Sequence, residues 1–269
     1  MAVADPGLVE STFGRPVVRG PDGDVRVRDV IDRLLDAGVR VYVVGGTPRD
    51  WLSGRVSQDV DLSLDRDLSS VHGLLREAFP GIDPLVAHAE RFGTLRWGDP
   101  KMGELDFNIL RSYEDIQNGE MYKTTFVPRS DLAADCRMRD FSINGLYYDC
   151  RSGELLDPLG CGLDDLRTGT LRLINHPTVL AGNHRMSFRV LQFLARGYSP
   201  APETTAYLDT QLDRDIQGMG FRLIRWITDH VIDRGGDLAR FRADLEGRVR
   251  EPASREVLEQ VFSVLDGGR

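Results

Sequence analysis

Two carboxylates downstream of a glycine pair are the residues of this sequence with the clearest chemical potential. Asp59 and Asp61 flank Val60, and side chains two residues apart in a strand project from the same face. Neighbouring carboxylates repel each other unless a cation lies between them, and Mg²⁺ with a bound triphosphate supplies such a cation. Gly45-Gly46 allows the backbone, including the N–H groups of a following helix, to approach phosphate closely. Together these features predict nucleotidyl transfer with two metal ions.

Each signal taken alone has an ordinary explanation. Surface strands often carry alternating acids, and a Gly-Gly pair is commonly a simple turn. The order matters here, because the glycine pair, Arg49-Asp50 and the two carboxylates follow one another within one strand–turn–helix–strand unit. That arrangement favours the catalytic interpretation.

The surrounding sequence supplies the elements that must position these residues. Apolar spacing predicts a helix over 27–37 that ends at Gly38, a strand at 41–44, and a helix over 69–79 capped by Ser69 or Ser70. Alternating stretches at 88–97, 103–111 and 121–127 predict further strands. From about residue 162 onward the pattern is helical, with helices predicted at 162–166, 183–196, 203–213, 218–234, 237–249 and 253–266.

The predicted fold class is therefore α+β, with a mixed or antiparallel sheet followed by an all-helical region. We expect three parts, namely a loosely packed N-terminal arm (1–24), a head (25–176) and a helical neck and C-terminal domain (177–269).

Composition narrows the class of protein. No apolar run approaches the ~20 residues needed to span a bilayer, and the N-terminus lacks the pattern of a signal peptide, so we expect a cytoplasmic protein. The three cysteines form no Cys-x-x-Cys pair, which argues against a disulfide framework or a zinc site. A formal net charge of −8 argues against a strongly basic nucleic-acid surface but leaves room for a local basic cleft.

Four motifs carry a resemblance to a known family. They are VVGGTPRDWLSG with DVDL, HAERFGTLRW with ELDFNILR, DCRMRDFSINGLYYD, and LLDPLGCGLDDLRTGTLRLI. In this order they resemble the class II tRNA nucleotidyltransferases (CCA-adding enzymes) and bacterial poly(A) polymerases over residues 25–196. The resemblance implies a polymerase-β-like nucleotidyltransferase head, an NTP substrate (ATP or CTP), Mg²⁺ as cofactor and an RNA 3′ end as acceptor.

The resemblance also assigns roles to individual residues. It implies that Asp59, Asp61 and Asp106 ligate the metal ions and that Gly45, Gly46 and Arg49 hold the triphosphate. It further implies that Arg139 and Asp140 approach the nucleotide, with Asn144 supporting their loop. Asp106 alternates with Leu105 and Phe107, which is consistent with a carboxylate on the opposite face of its strand, although a solvated acid would show the same pattern.

The sequence departs from the family in the motif that reads the base, Glu-Asp-x-x-Arg. The aligned positions hold Gly182, Asn183 and Met186, with Arg189 following on the same predicted helix. A methionine cannot donate a hydrogen bond, and Asn183 is neutral where the family has a charge, so we expect altered nucleotide selection. The helices at 218–266 mix Arg with acidic residues, which indicates packing rather than a basic RNA clamp.

Three functions stay open on this reasoning. The first is a nucleotidyltransferase acting on an RNA 3′ end, which we favour because the resemblance spans the head. The second is a nucleotidyltransferase acting on a small molecule or a protein, and the third is a non-catalytic nucleotide- or RNA-binding relative. The sequence leaves the oligomeric state undetermined.

Overall fold

The computed structural model describes residues 4–57, 59–82, 85–89, 94–110, 131–174 and 184–267. The chain divides into two compact units, residues 1–163 and 164–269. The boundary expected at 176/177 lies outside the described residues, as does the strand expected at 121–127.

The first unit alternates strands with short helices. Its helices and strands are α1 (Pro6–Phe13), β1 (Pro16–Gly20), β2 (Gly23–Arg26), α2 (Val27–Asp36), β3 (Val41–Val44), α3 (Gly46–Leu52), β4 (Val60–Leu64), α4 (Leu68–Ala78), β5 (Leu85–Ala89), β6 (Thr94–Asp99), β7 (Gly103–Ile109), α5 (Leu132–Cys136), a 3₁₀ turn (Ser142–Asn144), β8 (Tyr147–Asp149) and β9 (Leu155–Leu156).

A mixed sheet forms the centre of this unit. In the described part of the chain it has seven strands in the order β5-β6-β7-β4-β3-β8-β9. Only β4 and β7 run parallel to each other, and the other neighbouring pairs are antiparallel. On β7, Leu105, Phe107 and Ile109 are buried while the alternating residues are partly exposed, so one face of the sheet packs into the core and the other is polar. The α+β prediction with a mixed sheet is confirmed.

The helices over the sheet follow from amphipathic spacing and capping. On α2, Val27, Val30, Ile31 and Leu34 are buried at helical intervals, and Gly38 follows with φ 76°. The N-cap of α4 is Asp67 rather than Ser69 or Ser70, since its carboxylate accepts the backbone N–H and the hydroxyl of Ser70 at 2.8 and 2.6 Å. This bonding lowers the pKa of Asp67, with the Ser70 hydroxyl as the largest cause. A carboxylate at the residue directly before the helix accepts the free backbone N–H groups of its first turn and is a strong N-cap.

The N-terminal residues do not form the loosely packed arm that the sequence suggested. Residues 6–26 form α1 and a β1–β2 hairpin, and Phe13 and Val17 are buried in the same core as the central strands. Trp51 on α3 donates its indole N–H to Thr12 Oγ1 at 2.9 Å and packs edge-on against Phe13. The high Gly, Pro and charge content of this segment masked a few well-spaced apolar residues that have a partner only in the folded head.

The second unit is mainly helical, as predicted. After α6 (Gly162–Thr168), which begins at the end of the first unit, it contains β10 (Thr170–Leu171), α7 (Met186–Ala195), β11 (Ser199–Pro200), α8 (Pro202–Met219), α9 (Arg222–Ile227) continuing into a π-helical turn (Thr228–Ile232), α10 (Leu238–Glu246) and α11 (Pro252–Gly267). Among the described residues, no helix combines the length and apolarity that a membrane crossing requires.

Candidate active site

Two of the predicted carboxylates face each other across a pair of parallel strands. Asp61 on β4 is the register partner of Asp106 on β7. Asp106 is in turn the register partner of Arg96 on β6, so the three residues form one row across the polar face of the sheet. The parallel pairing of β4 with β7 brings together two acids that are far apart in sequence, because residues in register share a face.

The Asp61 carboxylate is electrostatically unfavourable as it stands. Its side chain is partly buried, and no residue of the described part of the chain donates a hydrogen bond to it. The pKa of Asp61 is raised to about 6, chiefly by burial. The charge of Arg139 opposes this rise, those of Asp106 and Asp59 add to it, and that of Arg96 lowers the pKa slightly. A carboxylate in this situation favours either a proton or an added cation.

Asp106 has a cation already, and it is a side chain of the protein. The guanidinium of Arg96 donates to both carboxylate oxygens of Asp106, at 2.6 and 2.9 Å. Arg96 also lies 3.5 Å from Glu104, the other acid on this part of β7. Sequence reasoning missed Arg96, because its position opposite Asp106 depends on the register of β6 against β7.

Asp59 lies just before β4 and is exposed, and its backbone is fixed by buried hydroxyls. Thr47 Oγ1 and Ser57 Oγ donate to the carbonyl oxygen of Asp59 at 2.7 and 2.8 Å. Ser57 in turn is bound through its own carbonyl oxygen by Arg15, at 2.9 Å. These contacts tie the residue before β4 to the first turn of α3, and they had no signature in the sequence.

The two glycines of the turn have different roles. Gly45 has φ 72° and ψ −126°, a conformation almost restricted to glycine. A Cβ on Gly45 would lie 3.1 Å from Asp61 Oδ2. Gly46 is the first residue of α3, and a Cβ there would lie 3.1 Å from Arg49 Nη2 instead. Gly45 therefore sets the close approach of the turn to Asp61, while Gly46 makes room for Arg49.

Arg49 belongs to a buried polar network that connects α3 to the 3₁₀ turn. Its guanidinium donates to Asn144 Oδ1 at 2.6 Å and to Asp50 Oδ1 at 3.0 and 3.2 Å. The Asn144 amide then donates to Asp140 Oδ1 at 2.9 Å, and the same oxygen accepts the backbone N–H of Phe141. The structure brings together four residues of two separate motifs, and Asn144 connects the 3₁₀ turn to α3 through Arg49.

Arg139 also points into the protein. It donates to Ser63 Oγ at 2.8 Å and to Asp135 at 3.0 Å, and the Tyr147 hydroxyl donates to the same Asp135 oxygen at 2.5 Å. Asp135 is almost fully buried. In this arrangement Arg139 contributes positive charge close to Asp61 while fixing α5 against the sheet.

The remaining predicted residues lie in or next to the second unit. Asn183 lies outside the described residues. Met186 begins α7 and is 3% exposed, whereas Arg189 is partly exposed on the same helix. Next to Met186, Ser187 donates to Asp215 at 2.6 Å, and Asp215 also contacts His184, Tyr207 and Arg214. Met186 and its neighbour thus pack into the helical unit.

Comparison with known proteins identifies the first unit. Residues 41–172 match the poly A polymerase head domain. The chain is 32% identical over 184 residues to the multifunctional CCA protein of Xylella fastidiosa (strain M23), covering 63% of this chain and 39% of that protein. It is 27% identical over 213 residues to poly(A) polymerase I of Escherichia coli O157:H7, covering 76% of this chain and 44% of that protein.

A solved structure supports the same conclusion. A tRNA-processing enzyme with CTP superposes with a TM-score of 0.61 at 25% identity, covering 86% of this chain and 57% of that one. The fold is that of a nucleotidyltransferase head. Residues 41–172 belong to the poly A polymerase head-domain family, whose relatives here include CCA-adding enzymes and poly(A) polymerases. The chain spans less than half the length of the curated relatives described above.

The family implies a divalent metal ion, and the residues present fit one chemically. Among the described residues, no group of three acidic, histidine or cysteine side chains is arranged to hold a metal ion. The Asp61 carboxylate, which lacks a hydrogen-bond donor in the described part of the chain, is nevertheless a hard oxygen ligand in a crowded acidic position. Asp59, Asp61 and Asp106 remain the predicted ligand set.

Proposed function

We propose that this chain is a Mg²⁺-dependent nucleotidyltransferase that transfers a nucleotide from an NTP to the 3′ hydroxyl of an RNA. The observation that carries the proposal is the pairing of Asp61 with Asp106 directly beneath the Gly45 turn. Asp61, the register partner of Asp106, lies beside a glycine turn that carries no Cβ on the side facing its carboxylate.

Each residue contributes through its own position. Asp61 and Asp106, with Asp59, would hold the metal ions. When bound, these ions lower the pKa of the acceptor hydroxyl and neutralise charge on the phosphates. The Gly45 turn admits a triphosphate close to Asp61 because no Cβ occupies that space. Arg49, Asn144 and Asp140 hold α3 and the 3₁₀ turn in one arrangement, so Arg49 acts on the triphosphate mainly through the turn that it supports.

We further propose that nucleotide selection differs from the strict cytosine-then-adenine programme of a CCA-adding enzyme. Met186 has no hydrogen-bonding group, and its side chain is buried where a base-reading arginine would have to be accessible. A bidentate contact to a base edge is worth about 1–3 kcal/mol of discrimination, which this position does not supply. Arg189, partly exposed one turn later, is the remaining basic candidate on α7.

The names of the relatives support RNA as the acceptor class. CCA-adding enzymes, a poly(A) polymerase and a tRNA-processing enzyme with CTP are what the head resembles. ATP and CTP are accordingly the nucleotides we expect to serve as donors.

One experiment tests donor and acceptor together. The protein is incubated with each α-labelled NTP, Mg²⁺ and either total RNA or a tRNA lacking its 3′ end, and matched reactions omit RNA. We expect label on RNA with wild-type protein and none with Asp61→Asn. Label that appears without RNA would instead indicate a small-molecule or protein acceptor. Faithful addition of two cytosines and one adenine by this chain would contradict altered selection.

A further inference from the structure

Arg96 already supplies a positive charge to the row of charged residues in which an added cation is expected. The row across β4, β7 and β6 reads Asp61, Asp106 and Arg96, each in register with the next. Both carboxylate oxygens of Asp106 accept hydrogen bonds from the Arg96 guanidinium, in the bidentate geometry that is strongest for such a pair. Glu104, 3.5 Å from the same guanidinium, adds a second acidic contact.

The guanidinium can leave this position without a large penalty. The Arg96 side chain is 47% exposed, so it can swing into solvent and keep its charge hydrated. Exposed ion pairs are worth at most about 1 kcal/mol, even though a bidentate geometry favours the upper end of the range. A divalent ion that contacts Asp61 and Asp106 together gains more than this pair loses, since it carries twice the charge and meets two carboxylates.

We propose that Arg96 is a resident counter-cation of the catalytic carboxylates, which neutralises Asp106 in the metal-free protein and is displaced when a divalent metal ion binds. The inference rests on the proposed metal site. It makes Arg96 a positioning residue for that site, because it sets how strongly the free head competes for metal before nucleotide arrives.

The role of Arg96 is tested by the affinity of the protein for a metal ion in the absence of nucleotide. Mn²⁺ serves as the probe, and its free concentration is followed by electron paramagnetic resonance in the absence of nucleotide. In Arg96→Gln the metal no longer has to displace a guanidinium, so we expect the Kd for Mn²⁺ to fall about fivefold. Arg96→Lys, which keeps the positive charge but loses the two-point hydrogen bonding of the guanidinium, should give an intermediate Kd.

A matched control separates this effect from a general loss of charge. Arg40 is about as exposed as Arg96 and pairs with Asp65 at 3.0 Å, just beyond the other end of β4, so Arg40→Gln should leave the Kd for Mn²⁺ unchanged. In EDTA, Arg96→Gln should also have a lower melting temperature than the wild type, because the positive charge of Arg96 no longer offsets the repulsion between Asp61 and Asp106. Addition of Mn²⁺ should restore the melting temperature.

The outcomes distinguish this inference from the proposed function. A Kd for Arg96→Gln equal to or above that of the wild type would overturn the role of Arg96 while leaving the metal site standing. Binding of Mn²⁺ that is equally strong in Asp106→Asn and wild type, or absent from every variant, would overturn the metal site and this inference with it.

Discussion

Gly45 and Asp61 lie close together, since a Cβ on Gly45 would be 3.1 Å from Asp61 Oδ2. The position of the turn after β3 and that of the Asp61 carboxylate are therefore sterically coupled. A side chain at position 45 would require either the strand–helix turn or Asp61 to shift by a few tenths of an ångström. The backbone angles of Gly45 make the first response costly as well.

Gly45→Ala should abolish nucleotide transfer, because the methyl group displaces Asp61 in addition to straining the backbone. Gly54 is a matched control: its φ of 71° is nearly the same, and a Cβ there meets nothing within 4 Å. We expect Gly54→Ala to lose about 1 kcal/mol of stability to the positive φ and Gly45→Ala to lose about 1–3 kcal/mol, because its ψ of −126° is also unfavourable for alanine. Nucleotide transfer should be lost in Gly45→Ala and retained in Gly54→Ala. An active Gly45→Ala protein would contradict the importance of the close approach between Gly45 and Asp61.

Asp61→Asn should stabilise the metal-free protein at neutral pH. Folding raises the pKa of Asp61 from 3.8 to about 6, so the native state binds the proton more tightly than the unfolded state. The protonated Asp61 carboxyl therefore stabilises the native state fully below pH 4, and this contribution is lost as the pH rises through 6. In EDTA at pH 7.5 we expect Asp61→Asn to raise the free energy of unfolding, measured by urea denaturation, by about 1–3 kcal/mol. This gain in unfolding free energy should vanish as the pH falls toward 4.

Asp65 on the same segment provides the control for that measurement. Its carboxylate accepts the backbone N–H and the guanidinium of Arg40 at 2.8 and 3.0 Å. Asp65→Asn should therefore destabilise the protein at pH 7.5, the opposite sign to Asp61→Asn. A gain for Asp61→Asn that does not change with pH would contradict the assignment of a raised pKa.

Arg49→Lys should destabilise the head more than Arg55→Lys, although both arginines donate to Asp50 Oδ1. Arg49 is buried and bridges Asp50 and Asn144, which one ammonium cannot do in the same geometry. Leaving Asn144 Oδ1 without its donor should cost about 1–3 kcal/mol. Arg55 is exposed and should change the unfolding free energy little, and urea denaturation of the two variants gives the comparison.

Asp215→Ala should destabilise the helical unit by about 3 kcal/mol. The side chain of Asp215 is fully buried and accepts from the buried hydroxyls of Ser187 and Tyr207 at 2.6 and 3.4 Å, which would be left unsatisfied. Asp209, on the same helix, makes only an exposed pair with Arg250 at 3.2 Å. Equal melting temperatures for Asp215→Ala and Asp209→Ala would rule out this network as a stabilising element.

The sequence predicted well those features that depend on local spacing. The strand predicted at 103–111 and the helix predicted at 27–37 correspond to β7 (Gly103–Ile109) and α2 (Val27–Asp36), and the order of motifs predicted a nucleotidyltransferase head. The resemblance also directed attention to Asp61 and Asp106. Their roles in catalysis stay predictions, but their register pairing is a property of the structure.

Sequence reasoning failed where a partner lies far away along the chain. The arginine bound to Asp106 comes from β6, and nothing local to Arg96 distinguishes it from an ordinary surface residue until the antiparallel register is known. Likewise, α1 and the first hairpin look unstructured because their few apolar residues find partners only in the finished core. Strand pairing over long separations decides both cases, and short-range patterns do not contain it.

The packing of Trp51 against the N-terminal segment bears on how this catalytic module can be exchanged between proteins. The family match begins at residue 41, yet Thr12 and Phe13 cover the Trp51 ring and Arg15 holds the carbonyl oxygen of Ser57. A chimaera cut at the family boundary would bare an aromatic surface and loosen the loop carrying Asp59. Recombination that keeps the module working must transfer the first forty residues along with it.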